Sequence, residues 1–398
     1  MRRRRWVIWA AGTVLLMAGS SVGTWWATQD GLLGGNRIPV SMQKNQEFSR
    51  FLEVYQSIRG DTIWHNTPHQ LLAGAITGMV GTLHDQFSNY FSSAQNKSFQ
   101  SQLNPTFTGI GVEVSTNTPT LTIQQVFLNS PASKAGLRAG EVITAVNGQP
   151  VTEVGRAAAV ARIRGPVGSM VTITVADHGK IRVYHLKRAV VALPTVYSFM
   201  MPHHILYMNI IEFGNNTGAE VVQQVQHMEK AGAKGILLDL RDNPGGEVTQ
   251  ALQAANVLVP KGPVVSLDYK NAKNNQTLDS TGPGTKLPIV VLVNGNTASA
   301  AEILSAAIQE RQGGTLVGTK TYGKGIVQEL IPLAHHAALK LTVARYYTPN
   351  GQYIEHKGLT PNVYDPEPGN VIPSDNPAQD PQLQRAIAVL LKKMRTKG

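Results

Sequence analysis

Cysteine is absent from the 398-residue sequence. This absence excludes disulfide bonds, a thiol nucleophile and thiolate metal ligands. It does not place the protein in a reducing compartment, because exported domains also fold without disulfides. Charged residues are few, at 15%, and hydrophobic residues make up 42%. These values are typical of globular proteins and exclude an intrinsically disordered chain.

Acidic residues are scarce beside basic ones, and the net charge is +11. Four of the positive charges belong to Arg2–Arg5, and the remaining excess is scattered along the chain. The body of the sequence has no Lys/Arg cluster interleaved with aromatic residues. We therefore exclude nucleic acid as a partner.

Long apolar runs are also rare, and the clearest one, Trp6–Trp26, follows the four arginines. Its length is near that needed to cross a bilayer, and its terminal tryptophans suit the two membrane interfaces. The run lacks a clear small-x-small cleavage site, which favours an uncleaved anchor over a cleaved signal peptide. We predict a signal-anchor at residues 1–28 and an extracytoplasmic protein, anchored to the cell membrane or, after cleavage, secreted.

The length predicts two or three domains. Residues 29–103 read as a glycine-rich linker followed by an N-terminal helical region, with helical periodicity from Gln43 to Thr82 and a second helix starting at Pro68. From Val190 onward strands and helices alternate, which predicts an α/β core with a largely parallel sheet. The polar stretch Lys270–Lys286 is interpreted as a long loop that acts as a lid.

The stretch from Leu287 to Gln312 organises this core. A β-branched run, Ile289–Val293, predicts a strand buried on both faces, and helical periodicity starts at Ser299. Ser299 thus lies where a strand turns sharply into a helix, beside free N–H groups that can stabilise an oxyanion. This position suits a nucleophile. It equally suits a capping box formed by Ser299 and Glu302.

A second stretch, Thr321–Gln328, places Lys324 between Gly323 and Gly325. Glycines allow a tight turn and bring the amine close to another segment. Serine needs a base, and a lysine serves if burial lowers its pKa. None of the eleven histidines lies in a recognisable catalytic motif. Gln328 either orients the lysine amine by hydrogen bonding or is an ordinary strand residue.

Three motifs carry a resemblance to a known family. They are Thr-Ala-Ser299-Ala-Ala-Glu-Ile, Thr-Tyr-Gly-Lys324-Gly-x-x-Gln328 and Asp239-Leu-Arg241-Asp-Asn-Pro-Gly-Gly246. In order and spacing they resemble the carboxyl-terminal processing peptidases, also called tail-specific proteases, which are PDZ-containing Ser/Lys serine proteases. The resemblance implies a crotonase/Clp-protease-like protease core at 190–364, with a PDZ domain at 104–189. Residues 365–398 are then a C-terminal extension with a basic helix.

The predicted PDZ domain resembles the circularly permuted, protease-associated type. Its carboxylate-binding loop comprises Gly109, Ile110, Gly111 and Val112. Exposed N–H groups of this loop are expected to capture a terminal carboxylate, which a Cβ would obstruct. Arg164 is interpreted as either a sensor that signals PDZ occupancy to the protease or a plain turn arginine.

The predicted oxyanion hole uses the N–H of Ala300 together with that of Gly245 or Gly246. These glycines follow a strand and open a helix, so that their N–H groups can face a ligand. The glycine pair equally suits a plain tight turn. The mechanism needs no cofactor or metal, because backbone dipoles supply the charge stabilisation.

The sequence therefore predicts a serine endopeptidase that cuts unfolded or tail-tagged polypeptides near their C-termini, with the PDZ domain recruiting or gating substrate. The N-terminal helices either mediate a homodimer or pack on the core. Two alternatives stay open at this point. One is a catalytically silent PDZ scaffold that binds protein tails, and the other is a crotonase-like acyl-thioester enzyme that would not need the PDZ domain.

Overall fold

A computed structural model describes residues 45–103, 106–115, 120–177, 179–366 and 379–397. The predicted anchor at 1–28 lies outside these ranges. No helix within them has both the length and the apolar composition that a bilayer crossing requires. The described residues divide into two compact units, one within 45–96 and 328–342 and the other within 97–327 and 343–397.

In the first unit, two helices precede a short strand. They are α1 (Gln46–Asp61), α2 (Pro68–Gly81) and β1 (Asn89–Phe91). Helix α2 begins at a capping box, in which Thr67 and Gln70 bond each other's backbone N–H, and proline occupies the first turn. The predicted helices are thus confirmed. β1 pairs antiparallel with residues 338–340 of a later strand.

Helix α3 (Ser93–Leu103) begins in the first unit and ends in the second. The predicted PDZ domain follows, with the elements β2 (Thr106–Gly109), β3 (Val112–Val114), β4 (Leu121–Val126), α4 (Pro131–Ala135), β5 (Val142–Val146), β6 (Gln149–Pro150), α5 (Val151–Val154), α6 (Arg156–Ile163), β7 (Met170–Asp177) and β8 (Lys180–Lys187). The sheet order is β3-β4-β5-β7-β8, with β6 paired to β5. Ile123, Ile143 and Ile173 are fully buried in its core. Strand β9 (Ala189–Ala192) then pairs with β2.

The protease core follows as alternating strands and helices. Its elements are β10 (Val196–Met201), β11 (Ile205–Ile210), α7 (Thr217–Lys230), β12 (Gly235–Asp239), α8 (Val248–Leu258), β13 (Gly262–Tyr269), β14 (Gln276–Ser280), β15 (Ile289–Val293), α9 (Ala300–Arg311), β16 (Thr315–Gly318), β17 (Ile326–Pro332), β18 (Ala338–Tyr347), β19 (Val363–Tyr364) and α10 (Pro381–Lys397). A six-stranded sheet runs in the order β10-β11-β12-β15-β16-β19. Its strands pair in parallel except for β10 and β11. The predicted parallel sheet is confirmed.

This sheet is covered on both faces, which explains why β12 and β15 are buried throughout. Side chains alternate between the two faces of a strand. Leu238 and Val291 therefore pack with Leu304 of α9 on one side, whereas Leu237 and Val290 pack against α10 on the other. Ser299 thus follows a central strand of a covered sheet.

The predicted loop and lid at Lys270–Lys286 is wrong. Residues Gln276–Ser280 form β14, which pairs antiparallel with β13. Leu278 points inward against the core, while Thr277 and Asp279 are exposed. One partly buried apolar residue among polar neighbours gives too weak an alternation to distinguish a strand from a polar loop.

Candidate active site

Ser299 lies in the sharp turn between β15 and α9, as the sequence predicted. Its backbone has φ +54° and ψ −119°, a region that non-glycine residues rarely occupy and that is enriched at active sites. Its N–H donates to Glu302 Oε2 at 2.9 Å. The carboxylate half of the predicted capping box is therefore present, and it contributes to holding this strained turn.

Glu302 does more than cap the helix. Its fully buried carboxylate also accepts hydrogen bonds from the N–H groups of Gly323 at 2.8 Å and Lys324 at 2.9 Å. Thr321 donates its hydroxyl to the same carboxylate. Because one side chain bonds the main chain on both sides, it ties the Ser299 turn to the Lys324 turn. The structure thus brings the two predicted catalytic residues into one site.

The role of Glu302 in joining the two turns was not predicted. Glu302 lies within Ala300–Ile308 of α9, a segment that is buried on every side of the helix. Its position in such a segment was the signal that could have indicated a structural role. A carboxylate in such a segment must be hydrogen-bonded, because burying a charge without partners is very costly. The identity of the donors, some twenty positions away, is not visible in the local pattern.

The glycines on either side of Lys324 are required by close backbone contacts. A Cβ on Gly323 would lie 2.6 Å from the backbone nitrogen of Gly358, and its φ is +83°. A Cβ on Gly325 would lie 2.6 Å from the backbone nitrogen of Glu355. The turn therefore packs closely on residues 355–358, and the approach of the Lys324 amine to another segment stays a prediction.

Tyr346 provides a second connection between the same two turns. Its N–H donates to the carbonyl of Gly325 at 2.9 Å, and its hydroxyl donates to the carbonyl of Ser299 at 3.3 Å. Burial, followed by the charges of Glu302 and Glu355, raises the pKa of Tyr346 well above its ordinary value. The phenol therefore stays protonated and keeps its hydrogen bond to the serine turn.

The motif after β12 forms what we call the oxyanion loop, residues 239–246. It lies against the Ser299 turn, because Ala298 N–H donates to the carbonyl of Asn243 at 2.9 Å and Thr297 Oγ1 donates to that of Leu240 at 2.7 Å. Further hydrogen bonds connect Asp242 with Asn294 and Asn296. The loop is thus fixed to the residues that directly precede the serine.

The two candidate glycines of the oxyanion hole differ in their hydrogen bonds. Gly245 N–H donates to Asn243 Oδ1 at 2.8 Å. Gly246 forms a parallel β-bridge with Phe213. In this bridge the Gly245 carbonyl accepts the Phe213 N–H and the Glu247 N–H donates to the Phe213 carbonyl, so the Gly246 N–H takes no part. Gly246 is accordingly the better candidate donor beside Ala300.

Gly245 itself lies in contact with the nucleophile turn. A Cβ at this position would lie 2.7 Å from Ser299 Cβ and 2.9 Å from Ala300 N. The residue also has φ +97°, which favours glycine.

Gly245→Ala is expected to destabilise the protein by about 2–4 kcal/mol and to lower kcat by about 100-fold, because the methyl group would displace Ser299. Gly313→Ala is the matched control. Its φ is +66°, but nothing lies within 4 Å of its added Cβ. We expect it to cost about 1–2 kcal/mol from backbone strain and to leave kcat unchanged. Chemical denaturation and peptidase kinetics measure both effects, and equal kcat values for the two variants would contradict the proposed contact.

The loop predicted to bind carboxylates lies between β2 and β3. Gly109 ends β2, Val112 begins β3, and Ile110 is buried between them. Gly111 has φ +80°, and a Cβ there would lie 2.2 Å from Ser130 Cβ. The structure therefore requires glycine at 111 because of a neighbouring protein side chain, which differs from the reason inferred from the sequence. Carboxylate binding stays a prediction.

The suggested sensor Arg164 is exposed at the C-terminal end of α6. A different arginine, Arg188, is buried beside it. Its guanidinium donates to the carbonyls of Arg162, Ile163 and Met170 and to the hydroxyl of Ser169. Arg188 therefore holds the end of α6 to the start of β9, and the sensor role of Arg164 stays a prediction.

Gln328 lies in β17, in the first unit. Its side-chain amide donates to Thr342 Oγ1 at 3.3 Å, also in that unit. Its predicted role toward the lysine stays untested. Among the residues that the structure describes, no group of three His, Asp or Glu side chains is placed to hold a metal ion.

Comparison with known proteins assigns the two domains. Residues 204–364 match the model of peptidase family S41, and residues 98–176 match that of the PDZ domain. The carboxy-terminal processing protease CtpA of Bacillus subtilis is 36% identical over 322 residues, which cover 80% of this chain and 69% of that protein. This chain belongs to the carboxy-terminal processing protease family.

Another relative shows the same relationship. The carboxy-terminal processing protease CtpB of Bacillus subtilis is 30% identical to this protease over 341 residues, or 83% of this chain and 71% of the relative. Among solved structures, the photosystem II D1 C-terminal processing protease is 26% identical, with 87% of this chain and 91% of that chain covered and a TM-score of 0.49. The predicted α/β protease with a PDZ domain is confirmed, and so is serine-type endopeptidase activity. This assignment replaces the scaffold and acyl-thioester alternatives.

Proposed function

We propose that this protease cleaves polypeptides near their C-termini with Ser299 as nucleophile and Lys324 as general base. The observation that carries the proposal is the Glu302 carboxylate, which bonds the backbone N–H groups of both residues. Serine is a weak nucleophile until a base removes its proton, and Ser/Lys pairs perform this task in other proteases. A buried connection that fixes the two backbones is what such a pair requires.

The reaction then follows in two stages. The neutral amine of Lys324 accepts the proton of Ser299 Oγ as the oxygen attacks the substrate carbonyl. The oxyanion forms at the N-terminus of α9, where the N–H groups of Ala300 and Gly246 and the helix dipole stabilise it. The lysine ammonium next protonates the leaving amine. In the second stage, water attacks the acyl ester with the same lysine as base.

We further propose that the PDZ domain selects substrates by their terminal carboxylate and gates the protease. Strand β9 supports this role, since it pairs with β2 and so contacts the strand that leads into the carboxylate-binding loop. The segment after β9 is anchored in the protease core, where the N–H groups of Thr195 and Val196 donate to Glu220 Oε2 at 3.0 and 3.1 Å. A short segment therefore connects the carboxylate-binding loop of the PDZ domain to the protease sheet.

The proposed site of action is outside the cytoplasm, with the N-terminal segment attached to the membrane. Arg2–Arg5 and the apolar run Trp6–Trp26 support this proposal.

We also propose a homodimer through α1 and α2. Large apolar side chains that are at least one-third exposed, including Phe51, Leu52 and Met79, support such an interface. Deletion of residues 1–28 should release the protein from membranes, and sedimentation of that fragment reports its oligomeric state.

The test of the function uses an unstructured polypeptide with a fluorescent label, in two forms that differ only at the C-terminus. We expect the wild-type protein to cut the form with a free carboxylate, and amidation of that terminus to raise KM by about tenfold, because a charged hydrogen bond is lost. Ser299→Ala should be inactive on both forms. Cleavage by this variant would exclude the serine mechanism, and equal KM values for the two forms would exclude tail selection.

A further inference from the structure

Helix α10 contacts the oxyanion loop through one buried carboxylate, that of Asp380. The residue is fully buried directly before the helix. Its Oδ1 accepts the N–H of Leu383 at 2.8 Å, and its Oδ2 lies 2.8 Å from Arg241 Nη2. One oxygen thus caps the helix while the other binds the oxyanion loop. We propose that Asp380 is a positioning residue that holds the oxyanion loop in its catalytic geometry, an inference that rests on the proposed function above.

Arg241 is the group in the loop that Asp380 holds. Its guanidinium also bonds Asp239, with Nε to Oδ1 at 2.9 Å and Nη2 to Oδ2 at 2.6 Å. Burial acts to lower the pKa of Arg241, but the hydrogen bonds and charges of Asp239 and Asp380 raise it above its ordinary value. Asp239 is the last residue of β12 and also accepts a hydrogen bond from the Tyr207 hydroxyl, so its bonds hold Arg241 to the sheet. Asp380 adds a connection to a separate helix, and Gln382 Oε1 accepts a further bond from Arg241 Nη1 at 3.2 Å.

The helix that presents Asp380 is itself firmly placed. In its first two turns, next to Asp380, Leu383 and Ala386 are fully buried and pack on the sheet residues Leu237 and Val290. Apolar burial of this kind fixes a helix more strongly than its own propensity does. Asp380 therefore transmits the position of the sheet to the loop.

The path from Arg241 to the reacting atoms is short. Two residues further along, Asn243 donates from Nδ2 to the carbonyl of Ile210 at 2.7 Å, and its own Oδ1 and carbonyl accept the N–H groups of Gly245 and Ala298. Gly245 lies against Ser299. Movement of Arg241 would therefore change the direction of the Gly246 N–H relative to the nucleophile.

The variant Asp380→Asn tests the ion pair with Arg241 independently of the helix cap. Asparagine caps helices about as well as aspartate, so the acceptor for Leu383 N–H is retained. The negative charge beside Arg241 is removed. We expect kcat to fall by about tenfold or more, because small displacements of catalytic groups reduce rates steeply, while KM changes by less than about twofold. Binding of a peptide aldehyde, whose adduct with serine places an oxyanion in the hole, should weaken by the same factor as kcat.

Leu390→Ala is the matched control. It lies in the same helix and is fully buried, but it contacts the apolar cluster on the sheet. Its truncation lowers stability, and we expect kcat at a temperature where the protein remains folded to equal that of wild type. Circular dichroism establishes the folded fraction of each variant. Should Asp380→Asn fail to fold, Gln382→Ala takes its place, with a smaller decrease in kcat expected.

The outcomes separate this inference from the function it rests on. Absence of cleavage by the wild-type protein overturns the proposed function whatever the variants do. Cleavage by wild type with an unchanged kcat in Asp380→Asn, or in its substitute, overturns the positioning role of α10. An equal loss of kcat in Leu390→Ala and Asp380→Asn would also overturn the positioning role, because the helix would then affect activity through stability alone.

Discussion

Lys324→Ala is expected to lower kcat by about 10³- to 10⁴-fold, the range that removal of a general base typically costs. Alanine keeps the backbone N–H that donates to Glu302, so the turn remains attached to the buried carboxylate. The amine that we propose as the acceptor of the Ser299 proton is lost. Because the proposed mechanism uses the lysine for proton transfer and not for substrate binding, KM should change little. Steady-state kinetics on a labelled unfolded polypeptide measure both constants.

The control for this variant is Lys320→Ala. Lys320 is an exposed lysine four positions earlier in the same connection, and its replacement removes the same side-chain atoms. We expect it to retain full kcat. A Lys324→Ala protein that still turns over at more than a few per cent of the wild-type rate would show that another group serves as the base.

Glu302→Gln is expected to cause the second large effect, a loss of about 2–4 kcal/mol of stability together with a decrease of about 100-fold in kcat. Each carboxylate oxygen now accepts two donors, Ser299 and Lys324 N–H on Oε2, and Gly323 N–H and the Thr321 hydroxyl on Oε1. In either orientation, the amide of glutamine points an NH₂ group at one of these pairs. Buried donors then face a donor, and the two turns separate.

The control for Glu302→Gln is Glu310→Gln, which makes the same chemical change in the same helix. Glu310 accepts a backbone N–H from Asn350 at 2.7 Å at an exposed site. We expect a cost below about 1 kcal/mol and unchanged kcat. Urea denaturation gives the free energy of unfolding of each variant. If Glu302→Gln were as mild as Glu310→Gln, the buried carboxylate could not be what holds the two turns together.

Much of the protease core could be predicted from local pattern. The apolar β-branched run at Ile289–Val293 predicted a strand with the observed bounds, because burial on both faces leaves no polar position. Strand β14 was missed for the opposite reason. Its one apolar residue, Leu278, contacts the core among polar neighbours. This edge strand carries too few apolar residues for periodicity to reveal it.

The site was predictable in parts but not as an assembly. The strand-to-helix turn marked Ser299, and the flanking glycines marked Lys324. Their pairing came from the family resemblance, since nothing local connects positions 25 residues apart in the sequence. The contacts of Glu302 and the Arg241–Asp380 ion pair depend on how distant segments pack. Such contacts between distant positions are invisible to helical or strand periodicity.

The hydrogen bonds of Glu302 go to the main chain of Ser299 and Lys324, not to their side chains. A variant without the serine hydroxyl therefore keeps the main-chain hydrogen bonds that position residue 299. Such a chemically inert form should bind a polypeptide tail with the affinity of the active protein and retain it uncut. It offers a trap with which physiological substrates can be captured and their bound ends visualised.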